Sequence, residues 1–186
     1  VLKFHIQPEE TVIAPDNTKT VKAKIINSAG TTSVEALSYM GQSWSKPTVA
    51  YVKFGGVKKL VMFVGGGYDA EYEKPSYDQN NKKGAGVYMF DAENGDLLWW
   101  SGANATSKMG AQAYKFSDQL QYSVVSQINA IDRDNDGLVD NLYFGDLGGQ
   151  AFRIDLNNMA KKEGVETDED LKAKFSTSSN NSLVVP

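Results

Sequence analysis

Four aspartates crowd into Asp132-Arg133-Asp134-Asn135-Asp136-Gly137-Leu138-Val139-Asp140, at positions 1, 3, 5 and 9 of nine residues, with Gly137 at position 6. Side chains at odd positions of a tight loop can turn inward together, and a glycine at position 6 permits the sharp turn that wraps chain around an ion. Calcium is a hard cation that takes about six to eight oxygens at about 2.3–2.6 Å. Asp132, Asp134, Asp136 and Asp140 would supply carboxylate oxygens. The backbone carbonyl of Leu138, at position 7, would add another, and water would complete the shell. Two carboxylates about 5 Å apart repel by roughly 3 kcal/mol at an effective dielectric near 20. Four converging without a cation would be costly, and a solvated acidic turn would splay them outward. Magnesium usually keeps more of its water, so calcium suits a flexible, carboxylate-rich loop better. A helix–loop–helix calcium site would place glutamate at position 12, where this chain has Tyr143. At a hundredfold excess over Kd, binding would add about 2.7 kcal/mol of stability. Structural and regulatory roles for the ion are both open at this level.

Other chemistry is sparse. His5 is the sole histidine and reads as an ordinary residue, so no Ser–His–Asp arrangement can be built on it. The absence of cysteine excludes disulfides, thiolate metal sites and a cysteine nucleophile. Gly65-Gly66-Gly67 and Gly145-Asp146-Leu147-Gly148-Gly149 lack the Lys-Ser/Thr ending of a phosphate loop and read as turns. Trp44, Trp99 and Trp100 could stack a sugar or a flat cofactor, but core packing is the ordinary role for such residues. Asn104-Ala105-Thr106 and Asn180-Asn181-Ser182 match glycosylation sequons, a pattern short enough to arise by chance.

The elements that must position the acidic loop are strands. Lys59 to Val64 is a nearly continuous apolar run and predicts a strand buried on both faces. Strands are also predicted at Pro47 to Val52, Gly86 to Asp91, Asp96 to Trp100, Ser123 to Asp132, Asn141 to Phe144 and Gln150 to Asp155. Ala92-Glu93-Asn94-Gly95 reads as a hairpin turn, Gly95 being free to take positive φ. Upstream, Val21 to Ile26 alternates like a half-buried strand, and Asn27 to Thr32 reads as a turn or loop. Tyr68 to Gly86 looks like an exposed insertion, and residues 101–122 are loosely patterned. Thr167-Asp168-Glu169-Asp170 has the form of a capping box and predicts a short helix through Phe175. A polar linker would follow, and Leu183 to Pro186 would begin another strand.

Two stretches echo each other. PTVAYV, KLVMFVGGG and GVYMFDAENGDLLWW recur in outline as INAID, NLYFGDLGG and QAFRIDLNN. Each copy is a meander of short antiparallel strands with glycine turns. A period of about 40–50 residues with four strands is that of a propeller blade; a β-sandwich is the alternative. The expectation is an all-β fold over 1–186, a single partial β-propeller of antiparallel four-stranded meanders. Its blade-like units are 44–100 and 123–157, with helix and linker over 158–182.

Composition is ordinary for a soluble globular protein. The chain has 186 residues, 41% hydrophobic and 23% charged, with a net charge of −4. No basic stripe suggests nucleic acid, and no apolar run reaches the roughly 18 residues of a membrane span. The chain opens on Val1 without a signal peptide, and the expectation is a fragment or processed piece of something larger, with any export signal lost.

Between about residues 37 and 157 the chain resembles the C-terminal propeller of the PilC/PilY proteins of type IV pili. The likeness is carried by Trp44-Ser45-Lys46-Pro47-Thr48, Phe63-Val64-Gly65-Gly66-Gly67-Tyr68 and Val87-Tyr88-Met89-Phe90-Asp91-Ala92-Glu93-Asn94-Gly95. Above all it is carried by Asp132 to Asp140 running into Leu142-Tyr143-Phe144-Gly145-Asp146-Leu147-Gly148-Gly149 and Phe152-Arg153-Ile154-Asp155-Leu156. The resemblance implies a non-enzymatic, calcium-binding module of an exported protein at the bacterial surface, the pilus tip, or the periplasm and outer membrane. The implied ligands are Asp132, Asp134, Asp136, the Leu138 carbonyl and Asp140. The implied partners are minor pilins, with a host-cell surface engaged through other regions of the parent protein. The implied roles are pilus extension and retraction, twitching motility and adhesion. A full propeller needs far more than 186 residues, so the expectation is an incomplete one with exposed strand edges. Two rivals share features. VYMFDAENGDLLWW resembles the repeats of quinone-dependent dehydrogenase propellers. Integrin-like propellers carry D-x-D-x-D-G-x-x-D loops, in several blades where this chain has one.

Overall fold

A computed structural model describes residues 2–8, 11–13, 15, 19–77, 80–156 and 183–184. Its strands are β1 (Phe4–Gln7), β2 (Thr11–Ile13), β3 (Lys19–Val21), β4 (Lys24–Asn27), β5 (Gly30–Ser33), β6 (Thr48–Phe54), β7 (Val57–Gly65), β8 (Gly86–Asp91), β9 (Leu97–Gly102), β10 (Ala113–Phe116), β11 (Asn129–Ile131), β12 (Asn141–Gly145), β13 (Ala151–Asp155) and β14 (Leu183–Val184). Short 3-10 helices cover Glu35–Tyr39 and Ala70–Glu73. The fold is all-β, and the described residues do not close into a ring. Four sheets are present among them, with orders β1-β4-β5, β10-β9-β8-β7-β6, β11-β12-β13-β14 and β2-β3.

The five-stranded sheet is the centre of the molecule, because both of its faces are covered. On one face Val61, Phe63, Val87, Met89, Leu98 and Trp99 meet Leu142, Phe144, Phe152 and Ile154 of the β11–β14 sheet. On the other, Val64, Tyr88, Phe90, Leu97 and Trp100 meet Ile25, Val34, Ala36, Leu37 and Met40 from the N-terminal part. Successive strand residues point to opposite faces, so β8 reads as continuously apolar. In β9 the register shifts opposite Met89 and Phe90, which pair with Trp99 and Leu97. This bulge lets Leu98 and Trp99 enter the same core while Trp100 turns to the other. The β12–β13 pair is covered on one face only. Leu142, Phe144, Phe152 and Ile154 are buried, Tyr143 and Arg153 are exposed, and Phe144 stacks on Phe152 at 5.3 Å.

Several expectations are corrected. The 101–122 stretch contributes β10, which joins β9 in parallel, so the larger sheet is a four-stranded antiparallel meander with a fifth, parallel strand. Lys59 to Val64 is buried on both faces only towards its C-terminal end, since the start of β7 lies beyond the cover of the neighbouring sheets. Val21 to Ile26 is split between β3 and β4, the break bringing the buried Ala23 inward to accept a hydrogen bond from Val34 N–H at 2.9 Å. Of Asn27 to Thr32, the second half is strand β5 paired with β4. Ser123 to Asp132 is strand only over Asn129–Ile131. Its first half is stitched singly to several segments, with Val124 N–H donating to Gly84 O and Gly67 N–H donating to Val124 O, both at 2.9 Å. Those bonds take up the groups a ladder would need. The insertion after Tyr68 is not wholly exposed: Asp69 and Gly84 to Gly86 are buried. Trp99 and Trp100 are core residues, whereas Trp44 is 67% exposed. The strand expected from Leu183 is present as β14, antiparallel to β13. The helix expected from Thr167 and the following linker lie outside the described residues.

Candidate metal centre

The acidic loop joins β11 to β12, which pair antiparallel through Ile131 and Asn141. At its base Asp140 N–H donates to Ile131 O at 2.9 Å, and Leu156 N–H donates to Asp140 O at 2.7 Å. Inside the loop, the aspartates organise the backbone. Asp132 accepts from Asn135 N–H at 2.7 Å with Oδ1 and from Gly137 N–H at 2.9 Å with Oδ2. Asp134 Oδ1 accepts from Asp136 N–H at 3.2 Å, and Asp136 Oδ1 accepts from Leu138 N–H at 2.8 Å. Gly137 has φ +85, as its place in the turn required, and Asn135 has φ +62, a conformation asparagine tolerates better than most residues.

This wrapping gathers Asp132, Asp134 and Asp136, each placing one carboxylate oxygen within 4.8 Å of the other two. Ligands on opposite sides of a calcium ion lie about 4.6–5.2 Å apart, twice the ion–oxygen distance, and those of magnesium about 4.0–4.2 Å. Three hard oxygens no more than 4.8 Å apart are close enough to share one ion, of calcium or of magnesium size. Asp140 is not among the three. Its Oδ2 accepts from Arg133 N–H at 2.7 Å, across the mouth of the loop. Leu138 enters through its N–H, and its side chain is half-buried.

Two features escaped the reading of the sequence because they come from distant segments. Val139 is buried in the core between the two large sheets, and its N–H donates to Tyr51 O on β6 at 2.9 Å. Lys58 of β7 lies beside Gly137, its Nζ 3.4 Å from where a Cβ would stand, and 4.7 Å from the Tyr51 ring centroid. The loop is therefore tied to the edge strand of the neighbouring sheet as well as to its own. No local pattern announces either contact.

No family model matches the chain, and no curated protein matches it. The chain is similar to the C-terminal domain of PilY1. The crystal structure of that Pseudomonas aeruginosa domain superposes with a TM-score of 0.41 at 20% identity, over 88% of this chain and 29% of that one. The chain thus spans less than a third of the PilY1 domain's length. Among the described residues, no helix is long and apolar enough to cross a membrane.

Proposed function

We propose that the chain is a calcium-binding, non-enzymatic propeller module of an exported type IV pilus tip or biogenesis protein. The observation that carries this reading is the convergence of Asp132, Asp134 and Asp136 in a strand-flanked loop. That loop runs directly into the Leu142 to Gly149 and Phe152 to Leu156 motifs resembling the PilC/PilY proteins. The antiparallel run β6-β7-β8-β9 and the sheet β11-β12-β13-β14 are then two neighbouring blades, packed face to face as blades are. Asp132, Asp134 and Asp136 hold the ion, and the Leu138 carbonyl and Asp140 complete its protein ligands. Because Val139 is bonded to Tyr51, filling the loop steadies the contact between the blades. Minor pilins at the pilus tip are the proposed partners, and pilus extension, retraction, twitching motility and adhesion the processes served. In the VYMFDAENGDLLWW segment that resembles quinone-dependent dehydrogenase repeats, Trp99 and Trp100 are packed in the core at 1% exposure.

Calorimetric titration of calcium into the chain and into Asp136→Ala tests the metal assignment. Saturable binding in the parent and its loss in the variant is the expected result; equal binding in both, or none in either, rejects it. In the parent cell, an Asp132→Ala strain is expected to lose calcium-dependent motility. Unchanged piliation and motility at every calcium level would remove the regulatory claim.

A further inference from the structure

A second feature, independent of the acidic loop, lies where the segment after Met40 meets the segment after β7. Gln42 and Tyr68 form a backbone bridge, with Gln42 N–H donating to Tyr68 O at 2.7 Å and Tyr68 N–H donating to Gln42 O at 2.8 Å. The two segments approach so closely that a Cβ on Gly41 would stand 2.1 Å from Tyr68 O, and one on Gly67 2.5 Å from Gln42 O. On this rigid base three rings stack in a row. Trp44 lies on Tyr68 at 4.8 Å and 30°, and Tyr68 on Tyr72 at 5.6 Å and 27°. Tyr77 meets Tyr72 edge-on at 4.8 Å. The row is pinned by its polar ends. Tyr77 Oη donates to Asp69 Oδ2 at 2.5 Å, Tyr68 Oη to Glu73 Oε1 at 2.6 Å and Trp44 Nε1 to Gln42 Oε1 at 3.2 Å. Asp69, the anchor, is 4% exposed.

The row ends in an indole that is 67% exposed, an unusual place for so large an apolar surface. Its stacking partner Tyr68 and its hydrogen-bond partner Gln42 line a cleft of about 670 Å³, together with Ser43, Asp69, Glu71, Asn81 and Lys83. An aromatic face next to a rim of mixed donors and acceptors suits a ligand with one flat face of C–H bonds and a periphery of hydroxyls. We propose that Trp44 and this cleft form a binding site for a neutral pyranose sugar of an oligosaccharide. The slightly positive C–H face of the ring would lie on the negative π face of Trp44. The hydroxyls would bond Gln42, Glu71 and Asn81. The charged residues that line the cleft are Asp69, Glu71 and Lys83, which give no surplus of positive charge for an acidic sugar. A stacked row, unlike rings arrayed around a centre, presents one flat face and not a cage for an ammonium group. The platform is held before any ligand arrives, so little ordering cost attends binding.

The test uses the full chain with chitotriose, cellotriose and maltotriose at millimolar concentration, followed by saturation-transfer NMR and by tryptophan emission. Trp99 and Trp100 are buried, so a change in emission reports Trp44. Saturation of the sugar C–H protons by at least one trisaccharide is expected. Trp44→Ala should weaken it about tenfold or more, and Trp44→Phe within about threefold of the parent. Tyr143→Ala, at an exposed aromatic elsewhere, should leave it unchanged. No transfer to any of the three sugars overturns the proposal, as does equal binding by Trp44→Ala. A response to choline in place of the sugars overturns the ligand class.

Discussion

Two acidic turns close the hairpins of the two large sheets, and they settle their charge differently. The turn between β8 and β9 holds Asp91, Glu93 and Asp96. There Asp91 Oδ1 accepts from Glu93 N–H at 2.9 Å, and its Oδ2 faces Lys59 Nζ of the adjacent strand at 2.9 Å. Burial alone would raise Asp91, but the Lys59 and Glu93 hydrogen bonds and the Lys59 charge hold it below the usual carboxylate range. The turn between β11 and β12 also spends its carboxylates on backbone N–H groups, yet brings three of them within 4.8 Å of one another at the surface. Lys59 serves the first turn while its neighbour Lys58 only borders the second. The first turn is complete with protein groups. The second gathers three carboxylates at the surface, the arrangement on which the proposed calcium site rests.

The largest effect expected concerns what backs the first turn. Trp99 is 1% exposed between the two sheets, and Trp99→Ala should cost about 3–5 kcal/mol in urea unfolding, with calcium or with chelator alike. A loss below about 1 kcal/mol would show that the core does not hold this hairpin. Next is the ion. At a hundredfold excess over Kd, calcium should stabilise the parent by about 2.7 kcal/mol, and Asp136→Ala not at all. Equal melting temperatures for the parent with calcium and with chelator would erase the contrast between the turns.

Lys59→Met should cost about 1–2 kcal/mol near neutrality by leaving Asp91 buried without its partner. A group with a lowered folded pKa stabilises above the ordinary carboxylate range and loses that contribution as pH falls through the folded value. The variant should therefore show a shallower acid loss of stability than the parent, read from urea midpoints across acid pH. An unchanged acid limb would contradict the pairing. The smallest effect belongs to Asp146, which burial raises above the usual range, and whose Oδ2 has no hydrogen-bond partner among the described residues. Here the folded state holds the proton more tightly, so stability is fullest at low pH and falls as pH climbs through the raised value. Asp146→Asn lacks that fall and should gain on the parent as pH rises from acid to neutral. A constant difference in midpoint would refute it.

Much of this was legible in the chain. The strands from Thr48 to Trp100 and from Asn141 to Asp155 announced themselves by alternation, apolar runs and glycine turns, which are local consequences of a two-residue period. The acidic loop was equally plain, because its carboxylates and its glycine are spaced by the geometry of one turn. Trp44 was misread as core, since an aromatic on a ladder and one in a core carry the same letter.

What the sequence determined by itself is whatever neighbouring residues decide: the two meanders, their turns and the converging aspartates. Tertiary structure decided the parallel addition of β10 to β9, the bulge that sends Leu98 and Trp99 to one core, the separation of Asp140 from the three gathered carboxylates and the bond from Val139 to Tyr51. Each of these joins segments far apart along the chain or depends on which face a strand finds already covered. That choice is made by the free energy of burying one surface against another, and no stretch of residues carries it alone.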